Sequence, residues 1–246
     1  MQDIEAVLFD WGGVLIDNPA SPLMDYCARA LGVSVGEYTQ VHNRHGEAFQ
    51  RGRISEEVFW QRVCAGLDRP LPRTPSLWGQ AFRAVYSPRG EVFALAGRLR
   101  ANGYRTALLS NTEAPAMEFF LELRYEMFDV PIFSCVEGAC KPEKEIYEIS
   151  ARKLAAPAGG CVLIDDKPAF VEGARSAGMQ GVAYENLAQV KQDLVTLGVQ
   201  MFTGEFTTNW SGLLAALTMA MLPVLVIYAI FSRQLIKGLM TGAVKQ

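Results

Sequence analysis

The sequence predicts an α/β fold in which a doubly wound parallel sheet carries a small helical insert, followed by one C-terminal transmembrane helix. Short apolar runs alternate with helical patterns through the first two hundred residues. This alternation is typical of a parallel sheet that helices cover on both faces. An uncharged stretch then runs from residue 206 to residue 232, whereas charges are spread evenly before it.

The composition bounds the class of protein. A chain of 246 residues suits one or two domains with a sizeable core. The net charge is only −3 and there is no basic stripe, so a nucleic-acid partner is not expected. The chain has 5 cysteines, no CxxC pair and no signal peptide pattern at its start, which predicts reduced thiols and a cytoplasmic location.

The apolar runs predict buried strands over 6–9, 106–109 and 161–164, with shorter strands in 130–135 and 181–183. Polar residues follow three of these strands at once. Ligands of such sheets bind at the carboxyl ends of the strands, so we expect these side chains to converge on one site. The residues are Asp10, Ser110, Asn111, Asp165 and Asp166.

Between the first two strands, the pattern predicts helices and loops without a strand. Ser34 and Glu37 have the spacing of a capping box. Ser87 followed by Pro88 predicts a helix that begins at the proline and ends near Gly103. The predicted organisation is a core over 1–16 and 88–200, a helical insert over 17–87 and a membrane-spanning tail over 201–246.

Three of the converging residues are carboxylates, namely Asp10, Asp165 and Asp166. They would repel one another unless a cation lay among them. Oxygen ligands with open positions suit Mg²⁺, which completes its shell with water and phosphate. The sequence therefore predicts a magnesium site.

The remaining polar residues predict phosphate chemistry at that site. Ser110 and Asn111 can donate hydrogen bonds to phosphate oxygens, and Lys141 adds a positive charge beside them. A carboxylate such as Asp10 can act as a nucleophile and form an aspartyl phosphate that water then hydrolyses. The cations would offset the charge on the transferred group.

Four segments, taken in order, resemble the motifs of the haloacid dehalogenase-like (HAD) superfamily. The resemblance covers residues 4–198 and rests on FDWGGVL at 9–15, LSNT at 109–112, KP at 141–142 and IDD at 164–166. It implies a Rossmann-like core with a small helical cap, and Asp10 as the nucleophile. It also implies that magnesium is bound by Asp10, the main-chain carbonyl of Gly12, Asp165 and Asp166.

The resemblance implies a Mg²⁺-dependent phosphatase that hydrolyses a small phosphorylated metabolite, such as a sugar phosphate or a nucleotide. Asp165 and Asp166 favour phosphate over halide chemistry. Gly12 departs from the family pattern, because most of its phosphatases have an aspartate there as general acid and base, worth roughly 10²–10⁴-fold in rate. A non-catalytic HAD-like module tethered to a membrane therefore stays open as an alternative.

Three other residues near the predicted site carry weaker signals. We expect His42 and His45 to be ordinary polar residues of the insert. Trp11, next to the nucleophile, is expected either to pack under the insert or to contact the ligand.

The tail predicts a membrane helix over 211–232, because about twenty apolar residues cross a bilayer. A buried helix of a soluble protein is the alternative. Three cations follow the span, and the positive-inside rule places them in the cytoplasm. The catalytic domain would then be associated with the inner membrane.

Residues 201–246 resemble the C-terminal end of inner-membrane permeases of bacterial sugar ABC importers. The resemblance implies a fusion of two gene ends, genuine or introduced by sequence assembly. A membrane component of a sugar ABC transporter is the corresponding alternative function. The coupling loop and all earlier helices of that family are missing, so other ABC transporter subunits are not expected as partners.

Overall fold

The computed structural model describes residues 3–199 and Met221. Its centre is a parallel five-stranded sheet with the order β3-β2-β1-β4-β5. The predicted parallel sheet is confirmed, including its two short strands. The strands are β1 (Ala6–Phe9), β2 (Arg105–Ser110), β3 (Val130–Phe133), β4 (Cys161–Asp165) and β5 (Gln180–Ala183).

Apart from Asp165 at the end of β4, β1 and β4 are apolar, as expected for central strands that helices cover on both faces. Every residue of β1 and β4 is buried. Ala6 and Leu8 belong to one buried cluster together with Ile146 and Tyr147. The covering helices are α5 (Gly90–Ala101), α6 (Ala114–Glu122), α7 (Ser134–Glu137), α8 (Lys144–Lys153), α9 (Pro168–Ser176) and α10 (Leu187–Thr196), with a 3₁₀ turn at Ala158–Gly160.

The register of the sheet brings the ends of three strands to the same level. Phe9 of β1 pairs with Leu108 of β2 and with Ile164 of β4. The N–H of Asp10 donates to the carbonyl of Ile164 at 2.9 Å. The residues that follow these positions are therefore neighbours, as expected for parallel strands.

Four helices between β1 and α5 form what we call the helical insert: α1 (Ala20–Leu31), α2 (Val35–Gln50), α3 (Glu56–Leu67) and α4 (Leu77–Val85). The capping box at Ser34 and Glu37 is present at the start of α2. The insert has its own aromatic core, in which Phe49 stacks on Phe59 at 4.5 Å. This core keeps the four helices together beside the sheet.

The two chain segments that lead into and out of the helical insert run side by side. Asp17 N–H donates to the Ser87 carbonyl, and Arg89 N–H donates to the Leu15 carbonyl. The helix predicted from Pro88 to near Gly103 is present as α5, but it begins two residues later than predicted, at Gly90. The Ser87 hydroxyl donates to the Asp17 carboxylate at 2.8 Å instead of capping a helix.

The end of α2 provides a second connection between the insert and the core. Ser134 donates its hydroxyl proton to the Gln50 carbonyl at 2.7 Å. Arg51 binds Glu143 with two hydrogen bonds of 2.8 and 2.5 Å, and these lower the pKa of Glu143 to about 2. The insert is thus attached at two places on either side of the strand ends.

Of the C-terminal tail, only Met221 is among the described residues. Backbone contacts divide the chain into two units, 1–201 and 202–246. The predicted span over 211–232 and the permease-like segment over 201–246 lie outside the described residues, apart from Met221. Among the helices that the structure does describe, none combines the length and the apolar character that crossing a bilayer requires.

Candidate active site

The polar residues that the sequence predicts at the strand ends meet at one edge of the sheet. Asp10 follows β1, whereas Ser110 and Asp165 are the last residues of β2 and β4. All three are buried. Asp10, Ser110, Asn111 and Lys141 line one cavity of about 190 Å³, which lies between the sheet and the helical insert.

Lys141 lies between the carboxylates. Its ammonium group donates to Asp10 Oδ1 at 2.7 Å, to Asp165 Oδ2 at 2.6 Å and to the Leu109 carbonyl at 3.0 Å. Burial disfavours the charged ammonium, but the two carboxylates outweigh this effect and raise the pKa of Lys141. The side chain is therefore a fixed cation beside Asp10.

The two oxygens of Asp10 have different surroundings. Oδ1 accepts from the Trp11 main-chain N–H at 2.8 Å and from Lys141, whereas neither donor reaches Oδ2. Burial raises the pKa of Asp10 to about 6, although the charge of Lys141 opposes this shift. At pH 7.5 the carboxyl is still mainly ionised, which a nucleophile requires.

Asn111 fixes the main chain of Lys141. Its Oδ1 accepts from the Lys141 N–H at 2.8 Å, and its Nδ2 donates to the Lys141 carbonyl at 2.9 Å. The Lys141–Pro142 peptide bond that follows is cis. The side-chain amide of Asn111 is thus engaged by the main chain of Lys141, and its contact with phosphate stays a prediction.

The predicted metal ligands are close enough to share one ion. Carboxylate oxygens of Asp10, Asp165 and Asp166 lie within 4.8 Å of one another. Asp165 accepts hydrogen bonds from Lys141 and from the Lys167 main-chain N–H, the latter at 2.9 Å.

Asp166 provides the main evidence that a cation binds at this site. Its Oδ1 is buried and has no hydrogen-bond partner among the described residues. Burial, and then the charge of Asp165, raises the pKa of Asp166. Since a buried carboxylate oxygen without a donor is costly, and hard cations prefer such oxygens, the three carboxylates fit a magnesium ion.

The two glycines that follow Asp10 are needed because other groups approach their α-carbons. Gly13 has a φ of +97°, and a Cβ there would overlap the Asp166 carboxylate. A Cβ at Gly12 would lie 2.9 Å from Cδ of Pro19, the residue before α1. An aspartate at position 12 would therefore have to displace the start of the helical insert.

Glu113 is a cavity residue that the sequence analysis did not single out. It is buried at the start of α6, where Oε2 accepts from Trp78 Nε1 at 3.0 Å and Oε1 accepts from Gln50 Nε2 at 3.3 Å. Burial raises the pKa of Glu113 to about 7. The available sequence signal was its position three residues after Ser110, in the loop that follows a strand end.

The helical insert covers the cavity with aromatic side chains. Trp11 packs under the insert, with its ring 4.7 Å from that of Phe82, and it also lines the cavity, so contact with a ligand stays a prediction. His42 stacks on Trp78 at 5.5 Å and lines the cavity as well, which differs from our expectation of an ordinary polar residue. His45 is not among the described residues that line this cavity.

Comparisons with known proteins agree with this geometry. A family model described as haloacid dehalogenase-like hydrolase matches residues 4–178. A Mycobacterium tuberculosis protein named as a phosphatase is 33% identical over 211 residues, which are 79% of this chain and 95% of that protein. Mouse acyl-CoA dehydrogenase family member 10 is 26% identical over 202 residues, which are 78% of this chain, and the chain spans only 19% of that protein's length.

A similar fold occurs in a HAD family enzyme from Bacteroides thetaiotaomicron, whose crystal structure is a complex with magnesium and inorganic phosphate. The two chains are 17% identical, with a TM-score of 0.62 over 74% of this chain and 94% of the other. The family model extends over more than half of the sequence and includes the ends of β1, β2 and β4, where the polar residues of the site lie. The chain therefore belongs to the haloacid dehalogenase-like hydrolases.

Proposed function

We propose that this chain is a magnesium-dependent phosphomonoesterase with Asp10 as its nucleophile. The observation that carries the proposal is the buried cluster at the strand ends, in which Lys141 holds Asp10 Oδ1 at 2.7 Å and leaves Oδ2 without that donor. The name of the Mycobacterium tuberculosis relative and the magnesium and phosphate in the Bacteroides complex point to the same chemistry.

The proposed reaction has two steps. Asp10 Oδ2 attacks the phosphorus atom, the bond from phosphorus to the ester oxygen breaks, and the alcohol leaves after taking up a proton. Water then attacks the aspartyl phosphate, which releases inorganic phosphate and restores the carboxylate. Lys141, together with Ser110 and the Asn111 main chain, stabilises the negative charge on the phosphoryl oxygens.

Magnesium would be held by Asp10, Asp165, Asp166 and the carbonyl of Gly12. When bound, it would supply positive charge that offsets the repulsion between the phosphoryl group and the carboxylates. The helical insert is the proposed cap, which covers the cavity and excludes water from it.

Gly12 limits how the leaving group can be protonated. Without an acid at this position, the alcohol depends on water or on its own acidity. We therefore expect hydrolysis to be faster for esters of acidic alcohols, such as p-nitrophenyl phosphate, than for simple alkyl phosphates, because general acid help worth about 10²–10⁴-fold is missing.

The test is phosphate release from p-nitrophenyl phosphate by the full-length chain with and without Mg²⁺. We expect turnover that requires the metal and is lost in Asp10→Asn. Asp25→Asn is the matched control, because Asp25 is exposed on α1 and its substitution should leave turnover unchanged. A folded chain that binds Mg²⁺ and phosphate without releasing phosphate from any ester would instead identify a non-catalytic binding module.

A further inference from the structure

Part of the cavity lining consists of apolar and aromatic side chains. Leu23, Met24, Trp78 and Phe82 of the helical insert belong to it, as does Phe170 of the core. None of the insert residues among the described cavity lining is Lys, Arg, Asp or Glu. A substrate group that enters this part meets carbon surface, which favours apolar over charged groups.

Two polar atoms on this lining have no hydrogen-bond partner among the described residues. They are Nε1 of Trp11 and Nε2 of His42, and both are buried. Burial lowers the pKa of His42, so its ring is neutral near pH 7. The Trp11 N–H can donate to a ligand oxygen, whereas the neutral His42 ring, whose Nδ1 lies 3.3 Å from Asn43 Oδ1, offers Nε2 as an acceptor to an uncharged ligand hydroxyl.

Glu113 brings a carboxyl group to the same space without a compensating cation, and because burial raises its pKa to about 7, the group is mainly ionised above that pH. Both of its oxygens accept from uncharged donors, Trp78 and Gln50, and no ion pair to Glu113 occurs within the described part of the chain. The lysines on the lining are Lys141, which is engaged by two carboxylates, and Lys167, whose main-chain N–H donates to Asp165 at the strand ends. A second anionic group that lies beside Trp78 and Gln50 would therefore face the Glu113 carboxylate rather than a cation.

The size of the cavity sets a further limit. Drug-sized ligands usually occupy roughly 300–1,000 Å³. The volume here is about 190 Å³, and the phosphoryl group next to Asp10 takes part of it. The remaining space suits a compact group.

We propose that Glu113 and the aromatic side chains of the helical insert select compact phosphomonoesters whose alcohol part is uncharged and mainly apolar, and reject esters that carry a second anionic group. This inference rests on the proposed function, since it takes the strand-end cluster as the phosphoryl site. It predicts that nucleotides and sugar bisphosphates are poor ligands. Glu113 is a specificity-determining residue in this view and takes no part in the bond changes.

The test measures binding rather than turnover, on the full-length chain carrying Asp10→Asn in the presence of Mg²⁺. Titration calorimetry would compare benzyl phosphate, glycerol 3-phosphate and 3-phosphoglycerate, which differ in the apolar, polar or anionic nature of the alcohol part. We expect benzyl phosphate to bind at least tenfold more tightly than 3-phosphoglycerate, with glycerol 3-phosphate between them. Equal affinities, or the reverse order, would overturn the proposal without any further variant.

A second arm assigns the selection to Glu113. Adding Glu113→Gln should improve the binding of 3-phosphoglycerate about tenfold at pH 8 and leave benzyl phosphate nearly unchanged. Glu118→Gln is the matched control, because Glu118 is exposed on the same helix and should alter neither ligand. If both substitutions leave the ratio of the two affinities unchanged, Glu113 does not select the ligand.

The outcome is separable from that of the proposed function. Failure of the wild-type chain to hydrolyse any ester would refute the phosphatase activity, yet the order of the three affinities would still be measured. Conversely, turnover of 3-phosphoglycerate equal to that of benzyl phosphate would refute the selection and leave the phosphatase activity in place.

Discussion

The two sides of the cavity use different physical interactions. On the core side, Lys141 and the carboxylates of Asp10 and Asp165 form a buried ionic cluster with contacts of 2.7 and 2.6 Å. On the side that faces the insert, rings such as Trp78 and Phe82 line the cavity, and the core residue Glu113 accepts hydrogen bonds from two neutral side chains of the insert. The core side therefore has the charges that the proposed phosphoryl transfer would use, whereas the insert side has the shape and polarity that would distinguish ligands under our proposal.

This difference indicates that the groups proposed to react and the groups proposed to select the ligand lie in different parts of the chain. The ionic cluster is built from strand ends whose positions are fixed by the sheet register. The insert is a separate helical unit with its own aromatic core. A change in the insert can therefore alter which ester is bound while the reacting groups stay in place.

Removing the central cation should have the largest effect. In Lys141→Met the carboxylates of Asp10 and Asp165 lose the ammonium group that lies between them. Because breaking a buried ion pair leaves an uncompensated charge, we expect the free energy of unfolding to fall by about 3–5 kcal/mol. Urea denaturation without Mg²⁺ measures it.

The control for this prediction is Lys144→Met, three residues later. Lys144 pairs with Glu148 at 3.0 Å, but its side chain is 68% exposed. Its loss should cost no more than about 0.5 kcal/mol. Similar costs for both lysines would contradict the view that burial makes the core side strongly electrostatic.

Glu113→Gln tests the other side of the cavity through its pH dependence. Burial raises the pKa of Glu113 from 4.5 to about 7, so the folded chain retains this proton more strongly than the unfolded chain. The contribution of Glu113 to stability is therefore largest at low pH and declines as the pH rises from about 4.5 to about 7.

Glutamine removes this titration. Between pH 5 and pH 8, the free energy of unfolding of Glu113→Gln should therefore rise by about 2–3 kcal/mol relative to that of the wild type. Urea denaturation of both proteins at the two pH values measures the change. Glu118→Gln, at an exposed position on α6, is the matched control for the substitution itself. Parallel pH profiles for Glu113→Gln and the wild type would mean that Glu113 is not buried as an acid.

Gly13→Ala tests whether the metal site depends on the close approach of Asp166. The added Cβ would overlap the Asp166 carboxylate at a backbone φ of +97°. We expect the free energy of unfolding to fall by about 1–2 kcal/mol, because alanine is strained in this backbone conformation. We also expect the Mg²⁺ affinity measured by calorimetry to fall at least tenfold. Gly103→Ala is the control, because Gly103 has a φ of +89° and open space around the added carbon. It should lose stability without losing Mg²⁺ affinity.

The sequence predicted the core side of the site well because its geometry is local. A short apolar run followed by a polar residue marks a buried strand and its end, and parallel strands bring such ends together. Asp10, Ser110 and Asp165 were placed in this way. Asn111 was also predicted to lie near the site. Its two hydrogen bonds to the main chain of Lys141 were not predicted, because they join residues 30 positions apart and no sequence pattern indicates them.

The insert side could not be predicted in the same way. Glu113 is joined to Trp78 across 35 residues and to Gln50 across 63, and both contacts exist only because the insert docks on the core. Helix α6 was also missed. Its nine residues include Pro115 and four buried positions, which weaken the amphipathic pattern. The Ser87 hydroxyl was assigned to a helix cap because the sequence does not reveal that Asp17 lies beside it.

The smallest expected effect concerns Arg51 and Glu143, which form an ion pair between the insert and the core. The interaction is of the same kind as the ion pairs of Lys141, but it is more exposed to solvent. Arg51 and Glu143 are 11% and 43% exposed, whereas Lys141 and Asp165 are both fully buried. In Glu143→Gln we expect the free energy of unfolding to fall by only about 0.2–1 kcal/mol at pH 7, and by less at 1 M salt.

The pKa of Glu143 is lowered to about 2, so the pair stabilises the chain above about pH 4.5 and is lost as the pH falls towards 2. Urea denaturation at low and high salt measures the loss, with the more exposed Glu122 as Glu122→Gln for comparison. A loss above about 2 kcal/mol would mean that charge, rather than the aromatic and main-chain contacts, holds the insert over the cavity.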